Sequence, residues 1–278
     1  MTDQSSCNHD CGSCSANCNS RQQPESFQVP VNEQSSVKKV IGVVSGKGGV
    51  GKSLVTALLA TATQKAGFKT GVLDADITGP SIPKLFGLHG NAQSTEFGIL
   101  PKESQTGVEI MSINLLLEQE DAPVIWRGPI IGNAVKQFWT DVVWGDLDNL
   151  FVDMPPGTGD VALSVFQSLP VNGIIVVTTP QDLVSLIVAK AVNMARMMDI
   201  PILGLIENMS YLQCPDCGKR IEIFGASHLE DTAAKYGLDV LGRIPIDPVI
   251  AQNCDNGRVE EIVAPWLEQA LLKIENQK

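Results

Sequence analysis

Short unbroken apolar runs alternate along this chain with longer stretches that mix apolar and polar residues at helical spacing. The runs predict strands at Lys39–Ser45, Lys69–Leu73, Val108–Ile113, Leu147–Val152, Gly173–Thr178, Ile202–Asn208 and Asp239–Ile244. Helices are expected at residues 52–66, 130–140, 181–198, 226–236 and 258–275, the first stopped by a left-handed turn at Gly67. Strands that read as continuous apolar runs are buried on both faces, so this alternation predicts an α/β fold. Its sheet is mainly parallel, with helices on both faces. Residues 90–107 are rich in glycine and polar side chains without periodicity and read as a surface loop. Residues 1–37 hold little apolar content and read as a flexible, cysteine-rich extension, leaving 38–278 as one domain.

The first strand breaks into glycines. Gly46-x4-Gly51-Lys52-Ser53 has the spacing of a phosphate-binding loop. Glycines at Gly46, Gly48, Gly49 and Gly51, with Val50 between them, let backbone N–H groups converge on phosphate oxygens. The N-terminus of the following helix adds partial positive charge at the same spot. Lys52 is placed to reach the outer phosphates and the Ser53 hydroxyl to ligate Mg²⁺. A second lysine, Lys47, follows the first glycine. Two acids end the next strand: Asp76 is the candidate to orient or deprotonate an attacking water, Asp74 to lie near the metal. Asp153 ends a later apolar strand and reads as the acid that senses Mg²⁺, followed by a Gly-Thr-Gly segment able to move on loss of a phosphate.

Composition then removes partners. The net charge of −11 leaves no basic footprint for nucleic acid. No apolar run is long enough for a membrane span, and residues 1–12 lack the pattern of a secretory signal, so a cytoplasmic protein is expected. In such a reducing compartment clustered cysteines point to metal. Cys7, Cys11, Cys14 and Cys18 suit an iron–sulfur cluster or zinc, and free redox-sensitive thiols are the third possibility. Cys214-Pro215-Asp216-Cys217 reads as a redox pair, half a zinc site, or two cluster ligands. No thioredoxin-like unit surrounds it and no second CxxC lies nearby. Two thiolates per chain become four across a two-fold axis, which suits a bridging 4Fe-4S cluster in a homodimer. Cys254 stands alone and reads as a buried thiol.

GKGGVGKS, with its second lysine, resembles the deviant Walker A loop of the MinD, ParA and nitrogenase-iron-protein class. Together with DADITGPSIP, WRGP, DMPPGTGD, ENMS followed by CPDC, and RIPIDP, it resembles the Mrp/ApbC branch of MinD-like P-loop ATPases over about Lys38 to the end. That resemblance implies an ATP-dependent homodimeric carrier that binds a labile 4Fe-4S cluster at its interface and passes it to apo-proteins. It implies Cys214 and Cys217 as cluster ligands, Lys47 as a cross-dimer lysine, and Asp76 and Asp153 as the two switch acids. Asn208, Pro245 and Asp247 match positions around the adenine. The spacing of the N-terminal cysteines departs from the wider one of eukaryotic relatives. Two other functions compete. A positioning ATPase needs a basic surface or an amphipathic membrane tail. A nitrogenase-type reductase needs a cysteine soon after the second switch motif, and residues 153–170 contain none.

Overall fold

The computed structural model describes residues 28–277 apart from 78, 80, 118–127, 158 and 181–183. The four N-terminal cysteines, Trp126 and Arg127 of WRGP, and Thr158 of the Gly-Thr-Gly segment therefore lie outside the described residues.

In chain order the elements are β1 (Ser36–Ser45), α1 (Lys52–Lys65), β2 (Thr70–Asp74), α2 (Ile82–Leu85), β3 (Ser94–Thr95), β4 (Gly98–Ile99), β5 (Lys102–Glu103) and β6 (Glu109–Met111). Then come α3 (Gly128–Thr140), β7 (Asp146–Asp153), α4 (Asp160–Ser168), β8 (Gly173–Thr178), α5 (Val184–Met197) and β9 (Ile202–Glu207). The chain ends with β10 (Leu212–Gln213), β11 (Arg220–Ile221), α6 (Leu229–Tyr236), β12 (Val240–Arg243), α7 (Pro248–Asp255) and α8 (Glu268–Glu275).

Eight strands form one sheet in the order β12-β9-β8-β1-β7-β2-β6-β5, parallel except for the edge strand β5. Alternation along the central strands divides the core in two. Val40, Val44, Leu150 and Val152 face one layer with apolar residues of α3, α4, α5 and α6. Ile41, Val43 and Phe151 face the other, against α1, α2, α7 and α8. The two-sided burial expected from unbroken apolar runs is thus present, and β1 is central because both of its neighbours are parallel crossover strands. Among the described residues no helix is long and apolar enough to cross a membrane.

Several boundaries differ from expectation. Residues 90–107 are not an irregular loop: β3 pairs with β4, and β5 extends the main sheet. Helix α4 was not among the expected elements. The single helix expected at 258–275 is two short 3₁₀ turns and α8, because Pro265 lacks the N–H a continuous helix requires. Before it lies the unforeseen α7, opened by Pro248 and capped by Asp247, whose side chain accepts from the Val249 N–H at 2.8 Å. Residues 28–35 run along the domain. Val29 N–H donates to Ser168 O at 2.9 Å and Trp139 Nε1 donates to Val29 O at 2.9 Å, so ordered packing begins before the expected boundary at 38.

Candidate functional site

Parallel strands aim their carboxyl ends at one edge of the sheet, and the phosphate loop sits there, between β1 and α1. Gly49 and Gly51 adopt left-handed φ of 78° and 79°, which turns the chain through the loop. Gly46 has a different reason to be glycine: a Cβ there would lie 2.3 Å from Ile187 Cγ2 of α5. At Gly48 and Gly49 a Cβ would meet nothing within 4 Å, so their backbone borders open space. That space is a groove of about 320 Å³ lined by the loop, Asp76, Gly79, Ser81, Leu85 and Pro156. The N-cap of α1, Gly51, makes no side-chain cap, which leaves the first N–H groups of the helix available to an anion.

Beneath the groove the charged groups form one network. Asp74 and Asp153 end adjacent strands as direct register partners. Lys52, almost fully buried, sets its Nζ 2.7 Å from Asp153 Oδ1 and 3.9 Å from Asp76 Oδ2. Ser53 Oγ donates to Asp153 Oδ2 at 2.6 Å, and Thr56 Oγ1 donates to Asp153 Oδ1 at 2.8 Å. Ser112 Oγ donates to Asp74 Oδ2 at 3.0 Å. Burial, reinforced by the neighbouring Asp153 charge, pushes the Asp74 carboxyl up to about 8. One lysine beside two adjacent buried acids therefore balances a single carboxylate, and Asp74 is the one that keeps its proton. Ser53 and Asp153 are oxygen donors of the type Mg²⁺ takes, already touching each other, and they fit that ion.

Each expected residue can now be placed. Gly46, Lys47, Gly48, Gly49, Val50, Gly51, Lys52, Ser53 and Asp76 line or border one groove with Asp153 at its floor. Asn208 is buried, and its Nδ2 donates to Val50 O at 2.9 Å, bracing the loop from behind. Pro245 is half-buried before α7, and Asp247 caps that helix. Thr56 and Ile187 were not anticipated. Thr56 carried a signal, since it lies one turn after Lys52 and Ser53 on the same helix. Ile187 carried none, because its partner is a distant glycine.

Cys214 and Cys217 lie elsewhere, on the turn joining β10 to β11. Cys214 N–H donates to Lys219 O and Gly218 N–H to Cys214 O, each at 2.9 Å, with Gly218 at φ 69°. The loop is tight and solvent-exposed. Backbone N–H groups of Cys217 and Asp216 draw the Cys214 thiol below its ordinary range, favouring thiolate. Among the described residues no third His, Cys, Asp or Glu joins the two cysteines in a metal-sized group. Cys254 is half-buried on α7, and burial pushes its thiol up, so it stays protonated.

A glycine-rich loop between the first strand and its helix, with an acid ending a neighbouring strand, defines a P-loop nucleotide-binding protein. The chain belongs to the ParA family in its form described as NUBPL iron-transfer P-loop NTPase, which matches residues 36–277. It is 45% identical over 237 residues to the iron-sulfur cluster carrier protein of Clostridium perfringens, covering 82% of this chain and 83% of that one. The protein of the same name from Methanocaldococcus jannaschii is 48% identical over 225 residues, covering 80% and 78%. Among solved structures, a nucleotide-binding protein from Archaeoglobus fulgidus, in complex with ADP and with cobalt found in it, superposes with a TM-score of 0.76 at 44% identity, covering 84% of this chain and 91% of that one. The cell-division protein MinD of Aquifex aeolicus shares the fold, with a TM-score of 0.56 at 19% identity and coverage of 85% and 94%.

Proposed function

We propose that this chain is an ATP-hydrolysing carrier that holds a 4Fe-4S cluster between Cys214 and Cys217 of two copies and hands it to apo-proteins. The observation that carries this reading is the solvent-facing turn that brings Cys214 and Cys217 together, with the Cys214 thiol drawn below its ordinary range by backbone N–H groups. A pair of cysteines on one short hairpin supplies half of a four-cysteine site, and a two-fold axis supplies the other half. The names of the relatives support the cargo, and exposure of the site suits cargo that must leave.

In the phosphate groove the loop N–H groups and the α1 N-terminus bind the phosphates, and Lys52 neutralises the transferring group. Lys47 is assigned to the partner copy's nucleotide. Ser53 and Asp153 would hold Mg²⁺, which would supply neutralising charge to the phosphates when bound. Asp76 faces the groove and orients the attacking water. Asn208, Pro245 and Asp247 are assigned to the side on which the adenine lies. Cys7, Cys11, Cys14 and Cys18 are assigned a second cluster or zinc.

The test is anaerobic reconstitution of wild type and a Cys214→Ser/Cys217→Ser variant, with iron and acid-labile sulfide measured per dimer. The expected result is loss of about four irons per dimer, any remaining metal belonging to the N-terminal cysteines. Unchanged iron and sulfide would remove Cys214 and Cys217 as ligands.

A further inference from the structure

Two machines on one chain need a connection, and the residues between them are already bonded to both. Asn208 closes the phosphate loop from behind through its bond to Val50 O, and the loop fits so closely that a Cβ on Gly51 would lie 2.1 Å from Asn208 Nδ2. Its own N–H is fixed to Thr178 O at 2.8 Å, at the end of β8. The residue before it, Glu207, is fully buried and grips both ends of the segment that carries the cysteines. Its Oε2 accepts from Ser210 Oγ at 2.5 Å and its Oε1 from Ser227 Oγ at 2.7 Å. Ser227 Oγ in turn accepts from Leu229 N–H, at the start of α6.

Between these anchors sits Met209, at φ 55°. A non-glycine residue in the left-handed region is held there by its surroundings, and such positions cluster at ligand clamps and switch segments. Beyond it Ser210 N–H donates to Ile244 O and Ile246 N–H to Tyr211 O, so the chain entering the hairpin is a short rail paired to the segment before α7. From the carbonyl of Val50 to Cys214 the path crosses one side-chain hydrogen bond and six residues of backbone, without passing through either switch segment.

We propose that Asn208 and Glu207 form a direct coupling, hinged at Met209, through which occupancy of the phosphate loop sets the accessibility of the cysteine hairpin. Phosphate oxygens draw the loop N–H groups inward, and each peptide that turns carries its carbonyl with it. Val50 O then shifts against Asn208. Because Asn208 and the Glu207 clamp are adjacent, the shift reaches Ser210 and Ser227 together and moves the hairpin as a unit. Asn208 is thus a positioning residue acting through Val50, and Ser227 fastens the far end of the hairpin. The value of this coupling to cargo release rests on the proposed carrier function, but the coupling itself is testable without metal.

The experiment uses the full chain, reduced and free of iron, and follows alkylation of Cys214 and Cys217 by peptide mass spectrometry with and without ADP and Mg²⁺. Wild type is expected to change its alkylation rate at least roughly fivefold on nucleotide binding, on the order of the coupling typical between two sites. Ser227→Ala, which touches no part of the nucleotide groove, is expected to bind a fluorescent ADP analogue as wild type does while the rate change falls below about twofold. Ser227→Thr, which keeps the hydroxyl, restores the response. The idea is overturned if wild type binds ADP with no change at either cysteine, or if Ser227→Ala responds in full. A hairpin that responds to ADP in a protein whose iron content ignores Cys214 would defeat the carrier reading and leave the coupling standing.

Discussion

Gly49 and Gly51 share a left-handed backbone but not a neighbourhood, and that difference yields a quantitative prediction. Placing alanine at either position forces an L-residue into φ near 78° or 79°, at a cost of about 1–2 kcal/mol. At Gly49 nothing lies within 4 Å of the new methyl, so the cost ends there. At Gly51 the methyl falls 2.1 Å from Asn208 Nδ2 and must expel an amide that is bonded to Val50 O in a buried setting. Leaving those groups unpaired adds about 1–3 kcal/mol. For a domain of this size each kcal/mol lowers Tm by roughly 2–4 °C, so Gly51→Ala should melt about 2–12 °C below Gly49→Ala in nucleotide-free protein. Thermal unfolding by circular dichroism measures it. Adding Asn208→Gly to Gly51→Ala removes the obstacle and should recover part of the difference, as expected of two residues in contact. Equal melting temperatures for the two alanine variants, or a double variant no better than the sum of its parts, would refute the described fit of loop to Asn208.

Three further outcomes are expected. Lys52→Ala leaves Asp153 without its buried cation, and phosphate release from ATP should fall by at least about 10²-fold, the scale for losing one preorganised charge-stabilising group; hydrolysis at the wild-type rate would exclude the proposed groove. Glu109 is raised to about 7 by burial first and by Glu103 across the β5–β6 pair second. Its folded form keeps the proton up to about 7 whereas the unfolded chain releases it near 4.5, so stability falls as pH rises between those values and levels off above them. The Tm advantage of Glu109→Gln over wild type should therefore widen from pH 4.5 to 7 and then stay constant, a flat difference counting against the shift. Glu260 is buried and accepts from Ser104 Oγ, Gln105 N–H, Thr106 N–H and Thr106 Oγ1. Glu260→Ala should cost about 2–4 kcal/mol by urea titration, yet leave ATP hydrolysis unchanged, because the turn its carboxylate holds at residues 104–106 is not part of the lining of the phosphate groove.

The parallel sheet was legible because its strands are buried on both faces and so carry unbroken apolar runs; β8 falls within the expected Gly173–Thr178 to the residue. Short antiparallel strands are not legible that way. β3, β4 and β5 have two residues each and take their pairing from the chain they meet, so 94–103 shows no period to read. The C-terminal region failed for a different reason. Apolar spacing over 258–275 suits a helix, but Pro265 and the demand that Trp266 O lie against Gly242 divide it, and only the second is a matter of tertiary structure. A proline inside an apparent helical period was the readable warning.

The site divides in the same way, and the division says something about how it works. Lys52, Ser53 and Asp153 were legible because each follows from a local motif at a strand end, and the structure brings them within hydrogen-bonding distance. Glu207 and Ser227 were not, because their meaning lies in a contact across 20 residues of intervening chain that no spacing rule describes. Yet a buried carboxylate accepting two hydroxyl hydrogen bonds is expensive to build and replaceable by an apolar pair if only stability were at stake. What such a pair would lose is direction: two bonds to opposite ends of one hairpin fix its base as a unit while leaving its tip exposed. The proposed carrier would need that combination, since cysteine ligands on a loose hairpin would respond to nothing at the phosphate loop, and ligands packed into the core could not release what they hold.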